Sequence, residues 1–152
     1  MSLTEAPQFV PWPETHYIFI EGIGPFQTTA PQSWQKLHAH LDALREQYTI
    51  TGYLSLYKIG PQIYRAGVSL SAPPTDLPEG FQYEKFNGGR YARFVLTGSY
   101  AQLPEASGRV WKIVADKGLA LREDFAIENY VNNPATAPEA ELITEILIPI
   151  LD

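Results

Sequence analysis

Residues 98–118 read GSYAQLPEASGRVWKIVADKG and combine a glycine turn, an amphipathic segment and a stop signal. After the turn Gly98-Ser99-Tyr100, we predict a helix from about Pro104 to Lys117. Gly118 suits the left-handed conformation in which many helices end. The apolar residues recur at helical spacing and would form one buried stripe, made of Leu103, Ala106, Val110, Trp111 and Val114.

An earlier segment has the same design. Gly24-Pro25-Phe26 corresponds to the later turn, and the spacing of apolar residues predicts a helix over Pro31 to Tyr48. Pro31 would occupy the first helical turn, where its missing N–H is harmless. Trp34 then corresponds to Trp111, and Tyr57 to Tyr130.

Strand signals flank both helices. Runs rich in β-branched and aromatic residues, bounded by Gly, Pro and Asn, are typical of strands. A proline-rich loop at 72–78 separates the two groups, and Asn87-Gly88-Gly89 is predicted as a turn between two strands. The predicted strands are His16–Glu21, Gly52–Lys58, Gln62–Leu70, Phe81–Phe86, Arg90–Thr97, Asp124–Val131 and Glu141–Ile150.

The matching pieces predict an α+β fold built from a duplicated β-α-β-β unit. We expect one domain over residues 1–152, with an extended leader at 1–15 and repeat halves at about 16–71 and 80–151. The two helices would lie on one face of a mainly antiparallel sheet. The alternative is two unrelated halves that share common turn chemistry.

Composition excludes several classes of function. The chain has 152 residues and no cysteine, so it has neither a disulfide framework nor a thiolate nucleophile. Its formal net charge of -6 argues against direct, sequence-independent nucleic-acid binding. No secretory signal or long apolar run occurs, which favours a cytoplasmic protein without a membrane partner.

Familiar catalytic and cofactor motifs also fail. Gly22-Ile23-Gly24-Pro25 begins like a dinucleotide fingerprint but lacks the third glycine. His38 and His40 are two apart on a helix and point to different sides, so they cannot share a metal ion. Neither Ser99 nor Ser107 has a histidine nearby. We therefore expect no metal and no cofactor.

Strand alternation singles out one acid. Side chains alternate between faces, so Glu128 and Tyr130 share a face of Asp124–Val131. Tyr53 and Tyr57 likewise share a face of Gly52–Lys58. We expect the helices to cover the aliphatic faces, and the tyrosine faces to meet across an aromatic cleft. The alternative for Glu128 is a water-facing acid on an edge strand.

A carboxylate among aromatic rings loses hydration, which raises its pKa unless a cation becomes its partner. A planar cationic ligand would supply that partner while the rings add cation–π attraction. Glu145 is the second candidate acid, with a surface position as its alternative. The remaining candidate ligand contacts are aromatic, and core packing is the alternative for each; they are Tyr130, Tyr57, Tyr53, Tyr91 and Trp111.

Four segments together resemble the GyrI-like effector-binding domains, which occur in AraC-type and MerR-type multidrug regulators and as free-standing proteins. The resemblance covers about Tyr17 to Ile150. The segments are Tyr64-Arg65-Ala66-Gly67-Val68, Gly88-Gly89-Arg90-Tyr91-Ala92-Arg93-Phe94 with Gly98-Ser99-Tyr100, Ile127-Glu128-Asn129-Tyr130 with Asn133-Pro134, and the closing run Glu141 to Ile150.

The resemblance implies a curved sheet of two β-α-β-β repeats with a ligand cleft along the pseudo-twofold axis. It implies that Glu128 is the pocket acid and that Glu145 matches a second acid of some members. Many members carry an aromatic residue where this chain has Leu147. No helix-turn-helix precedes the domain, since the leader of about 15 residues is too short for one.

Three functions stay open. The first is a binding protein for aromatic compounds, cationic or amphipathic, acting by sequestration or through a regulatory protein partner or a homodimer. The second, implied by the resemblance, is a hydrolase that opens cyclopropane rings of DNA-alkylating natural products. Glu128 would then be the general base, with Tyr130 or Tyr57 orienting the substrate. The third is a protein-interaction module such as the gyrase-inhibitor members, although the acidic charge is modest.

Overall fold

A computed structural model describes all 152 residues of the protein, in two compact units. The central unit is Pro13–Gly88, and the terminal unit joins Met1–Trp12 to Gly89–Asp152. Three helices and nine strands make up the chain, and within each unit every strand pair is antiparallel. The predicted α+β class is confirmed.

The chain order of the elements follows the sequence patterns closely. Short 3-10 turns at Tyr100–Gln102 and Glu139–Glu141 precede the last helix and the last strand. The helices are α1 (Phe26–Ala39), α2 (Leu41–Gln47) and α3 (Leu103–Asp116). The strands are β1 (Ser2–Leu3), β2 (Gln8–Trp12), β3 (Thr15–Ile23), β4 (Ile50–Lys58), β5 (Ile63–Leu70), β6 (Gln82–Phe86), β7 (Gly89–Thr97), β8 (Ala126–Tyr130) and β9 (Ile143–Pro149).

Both units have the same strand order. In the central unit the order is β4-β5-β3-β6. In the terminal unit it is β8-β9-β7, and β7 pairs on its other edge with β2 and β1. The shared order, with a helical segment before β4 and before β8, is that of a duplicated unit.

Two assignments differ from the sequence analysis. The strand at 81–86, placed in the second half, is β6, which pairs with β3 in the central unit. Asn87-Gly88-Gly89 is therefore not a hairpin turn, because β7 pairs with β1, β2 and β9 instead of β6. The leader is extended, as expected, but it is tied down as β1 and β2 against β7.

The first predicted helix is two helices. It begins earlier than predicted, at Phe26, and breaks at His40, so Pro31 lies inside α1 and not in its first turn. The second predicted helix is confirmed as α3, with Ala106, Val110 and Val114 buried. Gly118 has a φ of 65°, the left-handed conformation expected after the helix end. No helix has the length and apolar composition that crossing a bilayer requires.

The core of the central unit corrects the expected use of the sheet faces. Leucines of α1 and α2 pack with Ile18, Ile20 and Val68 of the sheet, and Tyr53 packs against this cluster. Tyr53 pairs with Val68, and Val68 with Ile18, so all three share a face. The helices of this unit thus cover the face that carries Tyr53, and not the aliphatic face of Leu54 and Leu56. Alternation sorted the side chains correctly, but which face the helices cover depends on distant contacts.

Candidate functional site

The acid singled out by the sequence has an aromatic partner in the terminal unit. Glu128 and Tyr130 lie two apart on β8 and share a face. The Tyr130 hydroxyl donates a hydrogen bond of 2.8 Å to Oε1 of Glu128. Both side chains are partly buried. Glu128 is thus neither a freely solvated edge acid nor a member of an ion pair with Tyr130, which is neutral.

Burial has a clear electrostatic consequence for this acid. Loss of hydration raises the pKa of the Glu128 carboxyl, and the hydrogen bond from Tyr130 offsets part of that rise by favouring the charged form. A carboxylate in this state gains from a positively charged partner, because the partner replaces the hydration that burial removed.

Tyr100 completes what we call the acid cluster, defined as Glu128, Tyr130 and Tyr100. The rings of Tyr100 and Tyr130 meet edge to face, with centroids 5.4 Å apart and an interplanar angle of 66°. The preceding turn fixes Tyr100. Gly98 has a φ of 136°, which favours glycine, and the Ser99 hydroxyl accepts a hydrogen bond from the N–H of Ala101.

Thr144 lies beside the acid cluster and has an unusual environment. It pairs directly with Tyr130 across β8 and β9, so their side chains share a face. Thr144 is completely buried, and its Oγ1 has no hydrogen-bond partner. Trp111, another predicted contact, is partly buried on α3 in the same unit.

The central unit holds a corresponding cluster without a charge. We call it the hydroxyl cluster, defined as Trp34, Ser55 and Tyr64. The Trp34 indole N–H donates to the Tyr64 hydroxyl at 2.8 Å and lies 3.3 Å from Ser55 Oγ. Ser55 Oγ and the Tyr64 hydroxyl are 2.6 Å apart and share a hydrogen bond. Ser55 and Tyr64 are buried.

The two clusters occupy matching positions in their units. Tyr57 meets Phe26 edge to face at 5.7 Å, as Tyr130 meets Tyr100, and in each pair the partner comes from the glycine turn. Ser55 precedes Tyr57 by two residues, as Glu128 precedes Tyr130. The central unit therefore has a serine where the terminal unit has an acid.

Three of the expected contacts lie elsewhere. Through the register of β7, β9 and β8, Tyr91 and Glu145 share the sheet face opposite Glu128. Tyr91 is fully buried, its hydroxyl donates to the Phe125 carbonyl at 2.9 Å, and burial raises the pKa of this phenol. Tyr53 packs against the core of the central unit and accepts hydrogen bonds from the guanidinium of Arg45.

Glu145 is already compensated on its own face. Its Oε2 lies 2.6 Å from Nε of Arg93, and its Oε1 accepts a 2.7 Å hydrogen bond from the side-chain amide of Asn129. Arg93 also donates to the side-chain oxygen of Gln8 at 2.7 Å. Glu145 thus belongs to a paired polar network, in contrast to Glu128.

Sequence reasoning missed two residues of the acid cluster and its surroundings. Tyr100 carried a usable signal, because its match with Phe26 places it in the turn that precedes the helix. Thr144 carried none, since only the pairing of β8 with β9 places it opposite Tyr130. No group of three or more His, Asp or Glu side chains is arranged to hold a metal ion.

Comparison with known proteins agrees with this architecture. A family described as "GyrI-like small molecule binding domain" matches residues 5–151. No curated protein matches the chain. Among solved structures, the chain is similar to the C-terminal domain of EcmrR, with a TM-score of 0.79 and 17% identity over 100% of this chain and 99% of that one.

Two further structures have the same fold. SAV2435, solved bound to tetraphenylphosphonium, has a TM-score of 0.73 and 15% identity, over 95% of this chain and 93% of that one. A hydrolase from Listeria innocua has a TM-score of 0.60 and 11% identity, over 97% and 93% of the two chains. At these identities the likeness concerns the fold alone.

Proposed function

Because this chain belongs to the GyrI-like small molecule binding domain family, we propose that it binds aromatic compounds, cationic or amphipathic, and that Glu128 is the partner of the cation. One observation carries the proposal. Glu128 is a partly buried carboxylate whose partner is a neutral hydroxyl, and it lies against two tyrosine rings. Such an acid attracts a cation that has aromatic substituents better than it attracts water-bound metal or amine ions.

The proposed contacts within the terminal unit are Glu128, Tyr130, Tyr100 and Trp111. The edge-to-face pair of Tyr100 and Tyr130 offers ring surface to an aromatic ligand. A preformed aromatic surface with one oriented polar group is the ordinary composition of a small-molecule site. Tyr57 stays a predicted contact, to be tested by its own substitution. We assign Tyr53, Tyr91 and Glu145 to packing and to the polar network described above.

The test uses two probes of one shape and opposite charge. Tetraphenylphosphonium, the compound bound in the SAV2435 structure, is compared with tetraphenylborate by isothermal titration calorimetry. We expect the phosphonium to bind and the borate to bind far more weakly. In Glu128→Gln the difference between the two probes should shrink, while Glu145→Gln, on the opposite face, should keep it. Equal affinity of the wild-type protein for both probes would refute the role of Glu128.

A hydrolase is the second candidate, and the contact between Tyr130 and Glu128 is the observation that favours it. A desolvated carboxylate with a raised pKa is a better general base near neutral pH than a free one. In ring opening, the hydroxyl of a water would bond to one cyclopropane carbon as a ring C–C bond breaks. The water's proton would pass through Glu128 to the electron pair left on the substrate.

That candidate has its own assay. The protein is incubated with a cyclopropane-containing alkylating natural product, and mass spectrometry follows a product heavier by one water. Product that forms with wild type and is lost in Glu128→Gln, with binding retained, would support hydrolysis. Unchanged substrate in the wild-type incubation would rule it out for that compound class. A homodimer, a regulatory partner and a cytoplasmic location stay predictions.

A further inference from the structure

The bond between Tyr130 and Glu128 occupies part of the surface that a cation would use. The hydroxyl donates to Oε1 at 2.8 Å. Two contacts hold Tyr130 in this position, since its ring packs edge-on against Tyr100 and its backbone pairs with Thr144 of β9. The carboxylate therefore meets a ligand with one oxygen already engaged.

We propose that Tyr130 is a specificity-determining residue, which makes the acid cluster select cations that carry no N–H donors, such as quaternary ammonium and phosphonium ions, over amidinium and protonated amine ions. This inference rests on the proposed function, because it takes Glu128 as the partner of the cation. It goes further by naming the residue that discriminates among cations and the chemical feature it reads.

Hydrogen-bond geometry supports this discrimination. Amidinium and guanidinium ions bind a carboxylate best through two parallel N–H bonds, one to each oxygen. At Glu128 such a ligand would have to displace the Tyr130 hydroxyl from Oε1 or engage only Oε2. A displaced hydroxyl in this partly buried cluster would lose its partner, and an unsatisfied buried donor is costly.

A cation without N–H groups avoids this conflict. It attracts the carboxylate through charge alone, so the Tyr130 hydroxyl keeps its bond to Oε1. The ring faces of Tyr130 and Tyr100 favour such ions through cation–π attraction. A protonated amine, in contrast, must give up strong hydrogen bonds to water on entry and cannot replace all of them here.

The experiment compares benzyltrimethylammonium with benzamidinium, each measured by competition against tetraphenylphosphonium. In the wild-type protein we expect benzyltrimethylammonium to bind more tightly. In Tyr130→Phe both oxygens of Glu128 become available, and the affinity ratio should shift toward benzamidinium by about tenfold, the effect of one hydrogen bond to a charged group. Tyr100→Phe removes a hydroxyl from the same cluster but leaves the bond to Glu128, so its ratio should equal that of the wild type.

A second measurement needs no variant. Benzylammonium and its N-methyl, N,N-dimethyl and N,N,N-trimethyl forms lose one N–H at each step, and wild-type affinity should rise along the series. A flat or falling series, or a Tyr130→Phe ratio equal to that of the wild type while both probes still bind, would overturn the role of Tyr130 alone. Failure of every cation to bind the wild-type protein would instead overturn the proposed function.

Discussion

Replacing Glu128 by glutamine should stabilise the fold at neutral pH, although it removes the proposed ligand partner. Burial raises the pKa of the Glu128 carboxyl in the folded protein. The folded state therefore holds a proton at pH values where the unfolded chain has already released it. Stability contributed by this group falls as pH rises between the unfolded pKa, about 4.3, and the folded pKa. The penalty is complete above the folded pKa and absent below the unfolded one.

The expected size of the effect follows from the hydrogen bonds of the carboxylate. A carboxylate has about four acceptor positions, and the Tyr130 hydroxyl fills one of them. Leaving a buried polar group poorly satisfied costs about 1–3 kcal/mol. Because Glu128 keeps some solvent contact, we expect Glu128→Gln to gain about 1 kcal/mol at neutral pH, at the lower end of that range. Glutamine also keeps an oxygen that can accept from Tyr130.

Urea unfolding of the two proteins tests this prediction, with tryptophan fluorescence as the readout. The variant should have the higher midpoint at neutral pH, the two midpoints should converge near pH ~4, and the slopes should agree. Glu145→Gln is the matched control and should lose stability, because it breaks the pairing with Arg93 and Asn129. A less stable Glu128→Gln at neutral pH, or a gap that does not change with pH, would refute the reasoning.

Three further predictions concern stability and are checked by denaturant unfolding. Thr144→Val should gain about 1 kcal/mol, because it removes a buried hydroxyl without a partner; a loss would show that the hydroxyl is satisfied in solution. Ser55→Ala should cost about 1–2 kcal/mol, because Trp34 and Tyr64 lose a shared partner; a neutral effect would contradict the network. Gly67→Ala should cost about 2–3 kcal/mol, since the new Cβ would overlap the Ile18 carbonyl oxygen and the Tyr17 ring. Wild-type stability of that variant would mean that β3 moves easily away from β5.

Much of the secondary structure could be predicted because its signals are local. The stripe of α3 and the stop at Gly118 depend on residues within a few turns of one another. The partner of β6 could not be predicted in this way. Asn87-Gly88-Gly89 has the composition of a hairpin turn, but β6 pairs with β3, which lies far back in the chain. Pairing over such distances depends on the whole sheet and leaves no mark in a short window.

The candidate site divides along the same line. Glu128 and Tyr130 could be placed on one face because they belong to one strand, where alternation is reliable. Tyr91 and Glu145 lie on neighbouring strands, and their face relative to Glu128 depends on the registers of β7, β9 and β8. A shift of one residue in such a register reverses the face. The sequence therefore predicted the acid and its tyrosine but not the faces of residues on other strands.

The pairing of β2 with β7 has a consequence for synthesis of the protein on the ribosome. Every residue of the central unit has been made once Gly88 is added, whereas the first twelve residues must wait for the strand that begins at Gly89. Contacts between parts of the chain this far apart form slowly. The emerging N-terminus thus carries an unpaired strand through more than half of translation, a period in which chaperones have the most reason to bind it.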